Sequence, residues 1–173
     1  MPRFEDFLCV AVLISRLGDI GTTYLASPKL ILESNPLARK FRWPFALATL
    51  TVCFLPYYSA PFAVMVLVAS LLVSASNAAR LWWLRVMGEE RFYQLMLELA
   101  ALSKPLPSII CILIPPFFIF LLAGLLLFFY PSPTDWGYYF ACGVASYAFV
   151  LTLYGPLFYL KLRKTAVRQP SYG

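Results

Sequence analysis

The sequence contains no histidine, and only 13% of its 173 residues are charged. Without histidine the chain lacks the commonest metal ligand and the commonest acid–base catalyst near neutral pH. A soluble domain carries about 25% charged residues, so the polar shell of a soluble fold is missing too. The cysteines form no C-x-x-C pair, which leaves no pattern for a zinc or disulfide framework: Cys9, Cys53, Cys111 and Cys142. We therefore expect no cofactor and no metal centre.

The chain is instead rich in apolar residues, at 61%, and these come in long runs. Each run is long enough, or nearly so, to cross a hydrocarbon core of about 30 Å. We predict an all-α, polytopic membrane protein that forms a single transmembrane domain over residues 1–173. Its five predicted transmembrane helices cover about residues 7–26, 43–57, 61–84, 106–130 and 136–160. The second, at about 15 residues, is short for a helical span.

The segment between the third and fourth spans has a different pattern. Apolar side chains recur there at helical spacing: Phe92, Leu95, Met96, Leu99 and Leu102. Polar side chains occupy another face: Glu90, Gln94 and Glu98. This predicts an amphipathic interfacial helix over about residues 88–102. A helix docked on the protein's own cytoplasmic face explains the pattern equally well.

Lysine and arginine are concentrated in alternate connections. The connections after spans 1 and 3 and the C-terminal tail are basic, whereas those after spans 2 and 4 contain neither residue. The positive-inside rule then places the N-terminus outside and the C-terminus in the cytoplasm. We predict a multi-pass protein of the inner (plasma) membrane, with the lipid bilayer as its partner. Since no basic recognition face accompanies the charge of +6, nucleic-acid binding is not predicted.

Polar side chains also occur where a lipid-embedded chain seldom carries them. The predicted topology brings seven of them to one level on the cytoplasmic side: Asp19, Thr22, Thr23, Glu33, Asn35, Asn77 and Arg80. Arg16 shares a helical face with Asp19 and Thr23, which gives eight candidate ligand-binding residues. Ionisable groups inside a bilayer are costly, and they usually pair, line a cavity or take part in function. If the first and third spans meet, Asp19 can pair with Arg80 or Arg16, and Asn77 can bridge. The result would be a polar pocket open to the cytoplasm.

Several roles fit such a pocket. In the leading hypothesis Asp19 and Glu33 bind or transport a cation, a proton or a small polar ligand, because hard cations favour such oxygens, and Arg80 balances charge. A membrane-embedded enzyme would use the same two carboxylates as acid and base, so enzymatic activity stays open. The chain could also be a non-catalytic subunit of a membrane complex, or form a homo-oligomer. In a purely structural cluster, Asn77 would join helices and Asn35-Pro36 would form a turn.

Two short motifs carry a family resemblance. Residues 18–24 read GDIGTTY and residues 33–37 read ESNPL. An aspartate and a Thr-Thr pair in the first span, followed by Glu-x-Asn-Pro before the second, resemble a family of small uncharacterised prokaryotic integral membrane proteins. The resemblance covers roughly the first third of the chain and implies no activity. It implies only that the family signature falls here on Asp19, Thr22, Thr23, Glu33, Asn35 and Pro36.

Overall fold

The computed structural model describes residues 3–33 and 35–168, and within them every regular element is a helix. In chain order these are α1 (Phe4–Ala26), α2 (Pro36–Ala48), a 3-10 helix (Thr49–Tyr57), α3 (Ala60–Met87), α4 (Glu89–Leu102), α5 (Pro105–Phe129) and α6 (Trp136–Arg168). The predicted all-α class is confirmed. Four helices in this part of the chain are long and apolar enough to cross a membrane, namely α1, α3, α5 and α6.

Helices α1 and α3 run in the same direction, and their C-terminal ends meet. Near these ends, the amide of Asn77 donates to the hydroxyl of Thr23 across 2.9 Å. Beyond them, the hydroxyl of Ser27, just after α1, donates to the carboxylate of Glu89, at the start of α4. Polar groups from distant parts of the sequence therefore reach one end of the bundle.

Helix α6 packs against α3 in parallel, and a glycine allows the close approach. A Cβ atom placed on Gly143 would lie 2.9 Å from both the carbonyl oxygen of Met65 and the Cβ of Val68. Small residues at such contacts let helix backbones approach closely in a membrane. Helix α5 pairs with α6 in the opposite direction, since Gly155, late in α6, lies against Ile112, early in α5.

Residues 36–57 run antiparallel to α1 and contact both of its ends. The ring of Trp43 lies 5.3 Å from that of Tyr24, late in α1, and the hydroxyl of Tyr57 donates to Asp6, early in α1, across 2.8 Å. A 3-10 helix rises about 2.0 Å per residue, against about 1.5 Å for an α-helix. Residues 43–57 therefore extend about 25 Å, close to the distance of about 27 Å along α1 between Asp6 and Tyr24, although they number only 15.

Helix α2 contains a break at Arg42, whose backbone has φ 54° and ψ −144°. Pro44 follows two residues later; it has no N–H to donate and disfavours helical geometry in the residue before it. The second predicted span was expected to begin at about residue 43, directly after this break. The preceding helical turns are capped by Asn35, whose side-chain oxygen accepts the N–H of Leu37 at 2.9 Å.

Helix α4 packs against the C-terminal part of α6. Its Leu97 and Ala100 are buried in a cluster with Tyr159 and Leu162. Much of the predicted apolar face lies elsewhere on the helix and is exposed: Leu95, Leu99 and Leu102. The contacts show docking on the protein itself, and they leave a second apolar face unpartnered within the described residues.

Candidate ligand-binding pocket

A cavity of about 430 Å³ lies among α1, residues 30–35, α2, α3 and α6. Seven of the eight predicted site residues line it: Arg16, Asp19, Thr23, Glu33, Asn35, Asn77 and Arg80. The cavity also has polar side chains that the sequence analysis did not select: Arg42, Trp43, Thr49, Ser76, Tyr147 and Tyr154. The convergence of separate stretches expected from the topology is therefore present in the fold.

The wall contributed by α1 is organised around Arg16. One terminal nitrogen of its guanidinium lies 2.5 Å from a carboxylate oxygen of Asp19 and donates to Ser70 at 3.2 Å. The other donates to Thr49 at 2.6 Å, on the 3-10 helix. Asp19 thus pairs with Arg16, one of the two partners expected for it, and the pair with Arg80 does not form. A single side chain joins three elements of the bundle.

One atom of Arg16 is left unsatisfied. Its Nε is buried and has no hydrogen-bond partner within residues 3–33 and 35–168. Buried donors are nearly always paired with protein or water, so each exception requires an explanation. Arg16 lines the cavity through other atoms, whereas its Nε is enclosed by protein and does not contact the space in this arrangement.

Thr22 does not line the cavity, although the sequence analysis grouped it with Thr23. Its hydroxyl donates to backbone carbonyls of its own helix, at 2.8 Å to Gly18 and 3.1 Å to Asp19. Adjacent residues of a helix point about 100° apart, so both threonines of the pair cannot face one cavity. Thr23 faces α3 and receives the amide of Asn77.

Glu33 and Asn35 lie on the connection that closes one side of the cavity. Glu33 accepts the backbone N–H of Asn35 at 2.7 Å, and Asn35 caps α2. Ser34, between them in the motif, lies outside the described residues. Both side chains therefore shape the local backbone as well as lining the cavity. This agrees with the structural role considered for the Asn-Pro motif, a turn before the second span.

The connection is held in place by Glu89, which the sequence analysis did not select. Its carboxylate accepts the backbone N–H of Lys29 at 3.1 Å and that of Ile31 at 3.0 Å, in addition to the Ser27 hydroxyl. A carboxylate with three donors makes strong, charge-assisted bonds. The residue could be noticed in the sequence only as an acidic residue after Gly88, since its partners lie about 60 positions away.

An exposed ion pair lies beside this contact. The ammonium of Lys29 is 2.5 Å from the carboxylate of Glu90. This hydrogen bond raises the pKa of Lys29 and lowers the pKa of Glu90. Because both side chains are largely exposed, water and salt screen the interaction.

Two further arginines differ from Arg16 in having no hydrogen-bond or ion-pair partner among the described residues. Within the described part of the chain, no hydrogen bond or ion pair satisfies the guanidinium groups of Arg42 and Arg80. Arg42 is also one of two non-glycine residues with positive φ in this part, the other being Leu30 at 56°. The two residues with positive φ, Arg42 and Leu30, both line the cavity. Such strained backbone positions cluster at binding sites.

Two tyrosines of α6 complete the wall opposite α1. Tyr147 and Tyr154 are seven residues apart and therefore lie on one face of the helix. Neither hydroxyl has a hydrogen-bond partner among the described residues. The spacing of two tyrosines within an apolar span is the signal that could have identified them from the sequence.

The described residues contain no group of three or more acidic or cysteine side chains placed to hold a metal ion. Comparison with known proteins yields no match: no protein-family profile, curated protein or solved structure is similar to this chain. Inferences about function therefore start from the geometry of the cavity.

Proposed function

We propose that the protein is a five-span integral membrane protein that binds a small polar ligand in this cavity from the cytoplasmic side. The contacts of residues 36–57 with both ends of α1 support a fifth crossing. The basic connections and tail lie at the ends of the helices nearest the cavity, which supports a cytoplasmic opening under the positive-inside rule. The exposed apolar face of α4 suits the bilayer interface on that side.

The observation that carries the proposal is that polar side chains of several elements surround a space rather than filling it. A cavity of about 430 Å³ falls within the usual range for small-molecule sites, about 300–1,000 Å³. A purely structural cluster would pair its polar groups with one another. Here the Arg16–Asp19 pair does so, whereas Arg42 and Arg80 face the cavity without a partner among the described residues.

Binding is also the simplest link to the family resemblance. Four signature residues line the cavity: Asp19, Thr23, Glu33 and Asn35. If the resemblance holds, the cavity would be a feature that the family shares. Transport through the bundle, catalysis by Asp19 and Glu33, and assembly with a partner or a second copy stay predictions that this proposal does not require.

Ligand-dependent stabilisation of the purified protein tests the proposal. A ligand at one hundred times its Kd stabilises the folded state by about 2.7 kcal/mol, which is readily seen as a rise in Tm. We would screen sodium, potassium and magnesium salts, sugars, amino acids and phosphate esters. Ser76→Phe would fill the cavity and remove the rise, whereas Ala75→Phe, on the exposed side of α3, would retain it. A rise that Ser76→Phe leaves unchanged would contradict the proposal, as would the absence of any rise.

Cysteine labelling tests the sidedness. In a cysteine-free background, we expect Lys40→Cys and Lys164→Cys to be protected from an impermeant maleimide in intact cells. Tyr58→Cys, in the connection after the 3-10 helix, should be labelled. Labelling of positions 40 and 164 from opposite sides would refute the five-span topology and the cytoplasmic opening together.

A further inference from the structure

The charges of the cavity point to the chemistry of its ligand. Its lining contains three guanidinium groups, on Arg16, Arg42 and Arg80, and two carboxylates, on Asp19 and Glu33. The lining therefore has an excess of one positive charge. The Arg16–Asp19 pair cancels internally at 2.5 Å, which leaves Arg42 and Arg80 against Glu33 alone. A cation entering this space would meet more guanidinium than carboxylate.

Several side chains of the lining that have no hydrogen-bond partner among the described residues can act as donors. The guanidinium groups of Arg42 and Arg80 have no acceptor among the described residues, and both side chains are exposed. The hydroxyls of Tyr147 and Tyr154 can donate as well. By contrast, the amide nitrogen of Asn77, which is also a donor, is already bound to Thr23. The ligand that completes this set must supply several acceptor oxygens and negative charge.

The depth of the cavity narrows the choice of anion. Trp43 lies next to Arg42, packs against Tyr24 and donates from its indole N–H to the carbonyl of Pro28 at 3.3 Å. Tryptophan and tyrosine prefer the level of the lipid headgroups. Guanidinium groups match the geometry of phosphate oxygens, and phosphate is the anion found at that level of a bilayer.

We infer that the ligand carries a phosphate group, received by the guanidinium groups of Arg42 and Arg80, which line the cavity and are exposed. This inference rests on the proposed function, since it names the class of ligand that the same cavity takes. The phosphate belongs either to a lipid headgroup or to a soluble phosphate ester. The lining also has an apolar part, which includes Val73, Val150 and Leu151 and suits the acyl chains of a lipid better than the polar remainder of a soluble ester.

The test measures Tm and Kd for the detergent-purified full chain at constant ionic strength. The probes are sn-glycerol 3-phosphate and dioctanoyl phosphatidic acid, and their controls are glycerol and dioctanoyl glycerol, which lack the phosphate. We expect at least one phosphate probe to raise the Tm while its control does not. A Tm rise with sn-glycerol 3-phosphate alone would identify a soluble ligand, and a rise with phosphatidic acid alone would identify a lipid headgroup. Each of these results supports the inference.

Arginine variants locate the binding. Arg80→Gln and Arg42→Gln should each raise the Kd of the phosphate probe about tenfold or more, because each removes a charge-assisted contact. Arg85→Gln is the matched control for Arg80→Gln, since Arg85 is also an exposed arginine of α3 but lies outside the cavity. Arg80→Lys should retain part of the affinity, because it keeps the charge but loses the planar donor pair.

The outcomes separate the inference from the proposed function. Phosphate binding that is unchanged in the Arg42 and Arg80 variants overturns the inference, and so does stabilisation by both control compounds as strongly as by the probes. A third outcome is that a cation or a neutral solute stabilises the protein, that Ser76→Phe removes this effect, and that no phosphate probe raises the Tm. In that case the inference fails while the proposed function stands. If no compound of any class raises the Tm, both fail.

Discussion

The same helices fill the two ends of the bundle in different ways. Near the start of α1, apolar side chains close the interior completely: Leu8, Val12, Cys53 and Ala63 form one buried cluster. Near its end, α1 and α3 instead enclose a cavity of about 430 Å³ with polar walls. Helix α1 contributes to both, and the change occurs within about one turn, between Val12 and Arg16.

The comparison shows two ways of joining helices in a membrane. Lipid is as apolar as the helix faces, so association depends on close packing and on hydrogen bonds between helices. The apolar end uses packing, and the contact at Gly143 between α3 and α6 has the same character. The polar end uses bonds, through Arg16 and through Asn77. Only the hydrogen-bonded end leaves a cavity, because a long polar side chain can join two helices whose faces are not in direct contact, whereas apolar packing requires that contact.

The largest expected loss of stability comes from breaking the Arg16–Asp19 ion pair at the polar end. Asp19→Leu leaves the charge of Arg16 without its partner, and removing one member of a buried pair costs about 3–5 kcal/mol. Because both side chains keep some exposure, 18% and 14%, we expect the lower end of that range. Reversible unfolding in detergent measures the loss. The double variant Arg16→Met with Asp19→Leu should lose less than Asp19→Leu alone; an equal or larger loss would show that the charge is not the cause.

A smaller effect is expected at the close contact of α3 and α6. Gly143→Ala places a methyl group 2.9 Å from a backbone carbonyl, and such overpacking costs about 1–3 kcal/mol. Gly124→Ala is the matched control, since a Cβ there would meet nothing within 4 Å. Parallel thermal unfolding of the two variants gives the answer. Equal Tm values would mean that the two helices do not approach as closely as described.

A more local effect is expected at Glu89. Glu89→Gln removes the charge that holds the Lys29 and Ile31 N–H groups and should cost about 1 kcal/mol. Hydrogen exchange at these two amides should become faster while exchange in α1 stays unchanged. Glu90→Gln is the control, because that residue bonds the side chain of Lys29 and not the backbone. Unchanged exchange in Glu89→Gln would show that the connection is held by other contacts.

The smallest effect concerns the exposed pair of Lys29 and Glu90. Since the pKa of Glu90 is lowered in the fold, its contribution to stability is present at neutral pH and is lost as the pH falls through that lowered pKa. The pKa of Lys29 is raised, so its contribution is lost as the pH rises through the raised value. The Tm difference between the wild type and Glu90→Gln should be small at pH 7 and vanish at either extreme or in high salt. A difference that persists at low pH would assign the effect to something other than the charge.

Much of the polar end could be predicted from the sequence because depth follows from topology. Asp19, Glu33, Asn77 and Arg80 are far apart in the chain, but the predicted alternating crossings put them at one level, and all four line the cavity in the structure. Helical spacing likewise brought Arg16 and Asp19 onto one face, where they pair. Thr22 lies outside the cavity lining, unlike Thr23, because helix geometry separates the two side chains of the Thr-Thr pair.

The remaining features depend on contacts that no local pattern encodes. Thr49 accepts a hydrogen bond from Arg16, 33 positions earlier, at the start of a nine-residue 3-10 helix, and runs of that helix beyond three or four residues are uncommon. Glu89 bonds a connection about 60 residues earlier. With the rise of an α-helix, the 15 residues of the second segment are short for a membrane span. The larger rise per residue of the 3-10 helix lets the segment contact both ends of α1.

That steeper rise gives the second segment an adjustable length. Rewinding the nine residues of the 3-10 helix as an α-helix would shorten it by about 4 Å, since the two forms differ by about 0.5 Å per residue. The hydrocarbon thickness of natural membranes varies by a similar amount, and helices adapt to the mismatch by tilting or distorting. If residues 43–57 cross the bilayer, their winding, rather than their tilt, would absorb such a difference.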